Sequence, residues 1–256
     1  METVAEQVQR FERHYARHID RVAADLPSDD DALYSRIILT TLLDTLSSVA
    51  FEDQPVGIRF VAFVSQFSEW EHAEHVSLFH LGRALEVHQQ PEFGNLKIWV
   101  GSELEAALPA EPELSLIVHT SVREKRLAVD PTLETVLAQW PKSQGTPLKL
   151  GGFQPKHFIH AQLLYQYRNH LVHEFRVPGY GWEVNRTVEP FYQKQVTKLA
   201  ADLKPLAERW ELVYPLKFLV ELCRSSLARL SQALLTEGRR PFSGRLEGSY
   251  WIRSLN

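Results

Sequence analysis

Val4, Val8, Phe11, Tyr15 and Val22 recur at steps of three, four and seven residues, with charged residues between them. That spacing puts them on one side of an amphipathic helix over residues 2–24. Pro27 ends it, and Ser28 or Asp29 can cap the next helix by accepting from its free N–H groups. The second helix, 30–51, carries Leu33, Ile37, Ile38, Leu42, Leu46 and Val49 over much of its circumference, which predicts a central position. Pro55 and Gly57 break the chain before a third broadly apolar helix, "GIRFVAFVSQFSEW". A fourth, "VSLFHLGRALEVH", runs to about residue 88.

Between 89 and 152 the periodicity weakens. "LKIWVG" and "LSLIVHT" are short runs that fit either strands or brief buried helices. "DPTLETVLAQWP" reads as a short helix with Pro131 in its first turn and Pro141 at its end, and "KSQGTPLKLGG" reads as a loop. A strong helix resumes at Pro155, with Phe158, Leu163, Leu164, Tyr167 and Leu171 on its apolar side. It ends near Phe175, where "RVPGYG" follows. "TVEPFYQKQV" and "RWELVYP" predict a two-stranded hairpin. Pro215 opens a last helix, for which Gly238 is the C-terminal cap. The expected architecture is a mainly α multi-helix bundle with a small β-hairpin decoration. Residues 1–256 read as one helical domain. Segment 89–152 is an insertion or irregular segment within it, and 239–256 is a basic, aromatic tail.

Composition adds exclusions. One cysteine, Cys223, leaves no intramolecular disulfide and no Cys-rich zinc site. It fits a reducing, cytoplasmic setting. The N-terminus is charged from Glu2 with no apolar run, unlike a signal peptide. The most apolar helix contains Arg36 and Asp44, unlike a membrane span. A net charge of −4 means that any nucleic-acid contact needs a local basic patch. No Walker spacing and no G-x-S-x-G elbow occurs.

The chemistry concentrates in "YRNHLVHEF", where Arg168, Asn169, His170 and His173 crowd the end of a core helix. Arginine stays charged and can hold two phosphate oxygens, whereas histidine can give or take a proton near neutrality. Asn169 and His173 lie four apart, on one face. Arg168 and His173 are five apart, roughly 140° around an ideal helix. Asn169 is therefore the better group to orient His173, and Arg168 works from the flank. Arg168 through His173 resembles the R-x(4–6)-H motif of the HEPN superfamily, including a polar residue after the arginine. The resemblance implies a helical bundle and a metal-independent endoribonuclease of a bacterial toxin–antitoxin or phage-defence system, acting as a homodimer. It carries over as catalytic residues Arg168, Asn169 and His173, with no cofactor and no metal. Cleavage by the RNA's own 2′-hydroxyl needs a base, an acid and a cation. One motif supplies one histidine, so a second copy, His170 or His160 must supply the other proton-transfer group.

His170, Arg176, Tyr180 and Trp182 are the expected substrate-binding residues, because rings and cations suit single-stranded RNA. The blander account packs these rings onto the bundle. The same two accounts apply to the tail, where folding back is favoured over contact with nucleic acid. The rival function is a non-catalytic helical module binding nucleotide, RNA or a protein partner such as an antitoxin. A weaker third is a metal-dependent hydrolase built on His170/His173, His72/His75 or His157/His160. "EWEHAEH", which lacks the H-E-x-x-H order, reads as a solvated turn.

Overall fold

The computed structural model describes residues 2–24, 32–107, 124–179, 188–199 and 205–242, with the side chains of 124–125, 195–199 and 205–209 left aside. The expected caps Ser28 and Asp29, the run "LSLIVHT", and the ring-bearing loop with Tyr180 and Trp182 lie outside these residues. So does the tail beyond Phe242. The chain is mainly α-helical with a small β component. It divides into two compact units, each assembled from separated stretches.

The first unit is built from α1 (Val4–Ala24), α2 (Ala32–Ala50), α3 (Val56–Phe67) and α8 (Leu216–Glu237) from Leu219 onward. α1 buries Val8, Phe11, Ile19 and Val22, the stripe that periodicity predicts. Its start is a capping box: Glu6 accepts from the Thr3 N–H at 2.8 Å, and Thr3 Oγ1 accepts from the Glu6 N–H at 3.2 Å. α2 is the central helix, burying Leu39, Leu42, Leu43, Leu46 and Val49 along with polar residues. Its buried hydroxyls bond back to their own helix, Thr40 to the Arg36 carbonyl at 2.8 Å and Ser47 to that of Asp44 at 2.7 Å. Ile38, expected inside, is 46% exposed, because Leu39 takes the inward position. α8 packs on α2, where the buried Cys223 thiol meets the Leu39 carbonyl at 3.4 Å, and burial pushes its pKa up. At the end of α8, Gly238 adopts a left-handed φ of 62°. Its N–H reaches Leu235 and that of Arg239 reaches Leu234, which closes the helix as the glycine predicts. The tail starts by folding back: Arg239 donates to the Val49 carbonyl at 2.7 Å, and Phe242 meets Phe11 edge-on at 5.8 Å.

The second unit holds α4 (Leu78–His88), α5 (Gly94–Ala107), α6 (Leu133–Gln139) and α7 (His160–Glu174) through His170. Its strands are β1 (Glu124–Arg126), β2 (Lys142–Ser143), β3 (Thr146–Pro147), β4 (Phe191–Leu199) and β5 (Pro205–Val213). The expected hairpin is β4–β5, and β1 joins it to make an antiparallel sheet in the order β1-β4-β5. "LKIWVG" resolves as helix, inside α5.

Three expectations are corrected here. The loop read from "KSQGTP" is the two-residue hairpin β2–β3. Gln144 and Gly145 both take positive φ, 49° and 80°, as the turns that match strand twist require. Pro131 is not in the first turn of α6: Thr132 caps that helix, accepting from the Thr135 N–H, while the Pro131 carbonyl takes the N–H of Val76. The helix read from Pro155 starts only at His160. Pro155–Phe158 is a single 3-10 turn, and extended Ile159 bridges to Val76. That break turns His160 inward.

Candidate functional site

α7 carries the whole arginine–histidine motif. Arg168, Asn169 and His170 are half-buried, whereas His173 and Arg176 are exposed. Arg168 Nη1 donates to Asn169 Oδ1 at 3.1 Å. The amide's acceptor is therefore engaged with the guanidinium. The helix ends at Glu174, and Phe175 closes it with a left-handed φ of 52°. His173 thus sits in the last turn. Tyr180 and Trp182 lie outside the described residues, so of the expected substrate-binding group only His170 and Arg176 are placed.

The second unit also contains a polar cluster that no local pattern announces. Asp130 and His160 are fully buried at their side chains and bond through Oδ2 and Nε2 at 2.7 Å. Tyr192 OH lies 2.5 Å from the same Asp130 oxygen and 2.7 Å from Ser77 Oγ. Ser77 Oγ lies 2.7 Å from His80 Nδ1, and Asp130 Oδ1 accepts the Leu78 N–H at 3.0 Å. His75 Nδ1 lies 2.9 Å from the Asp130 carbonyl.

Proton bookkeeping gives this chain a direction. As a carboxylate, Asp130 can only accept. Tyr192 has one hydroxyl proton for two oxygen neighbours, and Asp130 takes it. Ser77 must then donate to the tyrosine oxygen, so its Oγ accepts from His80 Nδ1–H. This leaves His80 Nε2 as an unprotonated acceptor. Burial first, and then the bond to Asp130, raise the Tyr192 pKa well above the ordinary tyrosine value, so its proton stays in place. His80 is pushed down to about 4, mainly by burial and then by His160, with Asp130 opposing. Burial, and then His75, also lower the His72 pKa.

A testable consequence concerns pH. Both histidines have folded-state pKa values below the unfolded value, so the stability they contribute is complete above about pH 6.5 and is lost as pH falls toward the folded value. For His80 the loss between about pH 7 and 5 comes to about 2 kcal/mol, at ~1.4 kcal/mol per pKa unit. Urea melts at the two pH values should show an unfolding free energy that falls by about 2 kcal/mol less in His80→Gln. Equal drops in both proteins would remove His80 from the account.

His80 and His170 line one cleft of about 880 Å³ that lies wholly within the second unit. Phe79 and Trp210, 5.2 Å apart, also line it, as do Tyr167 and Tyr214, 5.1 Å apart. Glu211 also lines the wall.

The histidine pairs fall into place separately. "EWEHAEH" is a turn, but not simply a solvated one: Ala73 is buried, and His75 is tied to Asp130. His72 and His75 stand 3.4 Å apart through their Nδ1 atoms, and His157 Nδ1 accepts the Gln154 N–H at 2.8 Å. Among the described residues, no three His, Cys, Asp or Glu side chains gather as a metal-ligand set. No helix among them is long and apolar enough to cross a membrane.

Sequence reasoning placed His160 at the edge of the motif; the fold buries it against Asp130. It missed Ser77, Asp130 and Tyr192 altogether. The one local signal was Ser77-x-x-His80 at the start of α4, where Ser77 is the N-cap. No family model, no curated protein and no solved structure matches the chain.

Proposed function

We propose that the protein is a metal-independent endoribonuclease that cleaves single-stranded RNA by 2′-hydroxyl attack. The observation supporting this reading is the make-up of α7. It presents an exposed His173 in its last turn, one turn beyond an Asn169 that is bonded to a half-buried Arg168. His173 transfers protons, Arg168 holds the phosphate oxygens, and the Asn169 amide orients the pair. His160 is withdrawn from the list of second proton-transfer groups, because it is buried on Asp130. That leaves His170 or the His173 of a second copy, and a homodimer with two facing motifs supplies both histidines and both cations. Such an RNA-cutting protein fits a toxin or phage-defence role held in check by a protein partner.

For the rival reading, a non-catalytic helical module binding nucleotide, RNA or a protein partner, burial of Arg168 and His173 in ion pairs within one chain would be the supporting arrangement. The exposure of His173 weighs against it. The test is direct. The purified protein should cut labelled single-stranded RNA in excess EDTA and should run as a dimer at the concentrations where it cuts. Intact RNA at high protein concentration, in EDTA and with added divalent metal alike, would sink the proposal. Cleavage that appears only with added metal would transfer it to a metal-dependent hydrolase.

A further inference from the structure

A chain with a net charge of −4 holds nucleic acid only through a local basic patch, and α1 carries one. Arg10, Arg13, Arg17 and Arg21 follow one another at steps of three and four residues, and all are exposed. At ~100° per residue they fall within roughly 80° of the helix circumference. His14 and His18 widen the same face. Both are exposed, and their rings meet edge-on at 4.9 Å. The opposite side of the helix is the one buried through Val8, Phe11, Ile19 and Val22.

The stripe is not matched by acid along its length. Glu2 meets Arg10 at 2.9 Å, at the N-terminal end, and Glu6 is engaged in the capping box with Thr3. Asp20 borders the stripe but is held by Arg224 at 3.0 Å. Arg13 Nε donates to the Gln9 carbonyl at 3.3 Å. Among the described residues, Arg17 and Arg21 make no ion pair. A helix face that is merely solvated alternates its signs, so that carboxylates stand four residues from cations. Here Arg13 with Arg17, and Arg17 with Arg21, set like charges at that spacing, which destabilises an isolated helix. A polyanion laid along the face removes that repulsion.

Three features choose the polyanion. A helix that lies on a membrane needs an apolar face to enter the lipid, and that of α1 is spent in the core. The four cations of the stripe are all arginine, whose planar fork meets two phosphate oxygens at once. The exposed imidazole rings offer faces on which bases stack, a contact that an acidic peptide does not use. From Arg10 to Arg21 the stripe runs about 16 Å, at ~1.5 Å per residue, long enough for several successive phosphates.

We propose that the exposed face of α1 is a sequence-independent binding surface for a single RNA strand, with the four arginines on its phosphates and the His14 and His18 rings beside its bases. The choice of RNA rests on the cleavage reading above, whereas the surface rests on α1 alone.

Fluorescence anisotropy of a labelled, fully 2′-O-methylated strand of about twelve nucleotides reads binding with no cleavage step. Affinity should fall between about 50 and 200 mM salt with a logarithmic slope of about −3, since each phosphate neutralised on a single strand contributes about −0.7. Two strands of unrelated sequence should bind alike. Arg17→Gln with Arg21→Gln should weaken binding at least about ten-fold and make the slope shallower by about one or more. Both positions are exposed, so the variant should keep the wild-type urea melt. Arg83→Gln with Arg229→Gln removes the same charge elsewhere and should leave the slope unchanged. An unchanged slope in the Arg17 and Arg21 variant, or an equal loss in the control, overturns the proposal. So does arginine-dependent binding of a polyglutamate peptide or of phosphatidylserine vesicles that is tighter than binding of the strand. A strand bound through α1 by a protein that never cuts RNA leaves this proposal standing and sinks the cleavage reading. RNA cut by a protein whose affinity ignores these arginines does the reverse.

Discussion

Asp130→Ala is expected to destabilise the folded chain by at least about 3 kcal/mol, because three buried donors lose their acceptor at about 1–3 kcal/mol each. The carboxylate takes the Leu78 N–H on one oxygen, and the Tyr192 hydroxyl and His160 Nε2 on the other. Alanine leaves all three donors buried without it, and a buried donor stripped of its acceptor loses its full solvation. Asp130→Asn keeps the shape and should cost less, about 1–3 kcal/mol. Either orientation of its amide sets an NH2 group against at least one of these donors. The coupling can be isolated. If Asp130 and Tyr192 act through one bond, Asp130→Ala and Tyr192→Phe together should cost clearly less than the sum of the two single changes. Additive losses in urea melts at neutral pH would mean that the chain from Ser77 to His160 is not a cooperative unit.

His173→Ala is expected to reduce RNA cleavage in EDTA by about 10²–10⁴-fold, the range for loss of a positioned proton-transfer group. Its position makes the result readable. His173 is exposed in the last helical turn, so its removal leaves no hole in either core. A folded, inactive protein is therefore the expected outcome. Arg168→Ala should cost about 10²–10³-fold, as for loss of one cationic or oxyanion-binding group. Arg168→Lys should recover only part of that, because an ammonium keeps the charge but lacks the planar fork that meets two phosphate oxygens. It also meets Asn169 Oδ1 with a different geometry from the present 3.1 Å bond. If His173→Ala cleaves at the wild-type rate, the activity does not come from this motif.

The helices were legible because burial on one side leaves a periodic mark. The α1 stripe, the apolar girth of α2 and the Gly238 cap all follow from side-chain chemistry within a few residues. The β4–β5 hairpin was legible for the same reason. The two units were not, because each gathers stretches far apart in the chain and no linear boundary separates them. Nor was the break at Ile159. Its helix-like surroundings are overruled by a bridge to Val76, a partner far away in sequence.

The candidate motif was visible in full, since Arg168, Asn169 and His173 share one helix. The buried chain was invisible for the opposite reason. Ser77 meets Tyr192 across 115 residues, and Asp130 meets Tyr192 across 62. A serine at a helix start, an aspartate before a proline and a tyrosine in a strand each have an ordinary local explanation. Only the fold brings them together.

The central claim is that RNA is cut by its own 2′-hydroxyl, with His173 and Arg168 as the protein's contribution. The ends of the products test it most directly. Mass spectrometry of fragments made in EDTA should show 2′,3′-cyclic phosphates with 5′-hydroxyl partners, and a DNA strand of the same sequence should stay intact. Fragments bearing 5′-phosphates and 3′-hydroxyls, or equal cutting of the DNA, would contradict it.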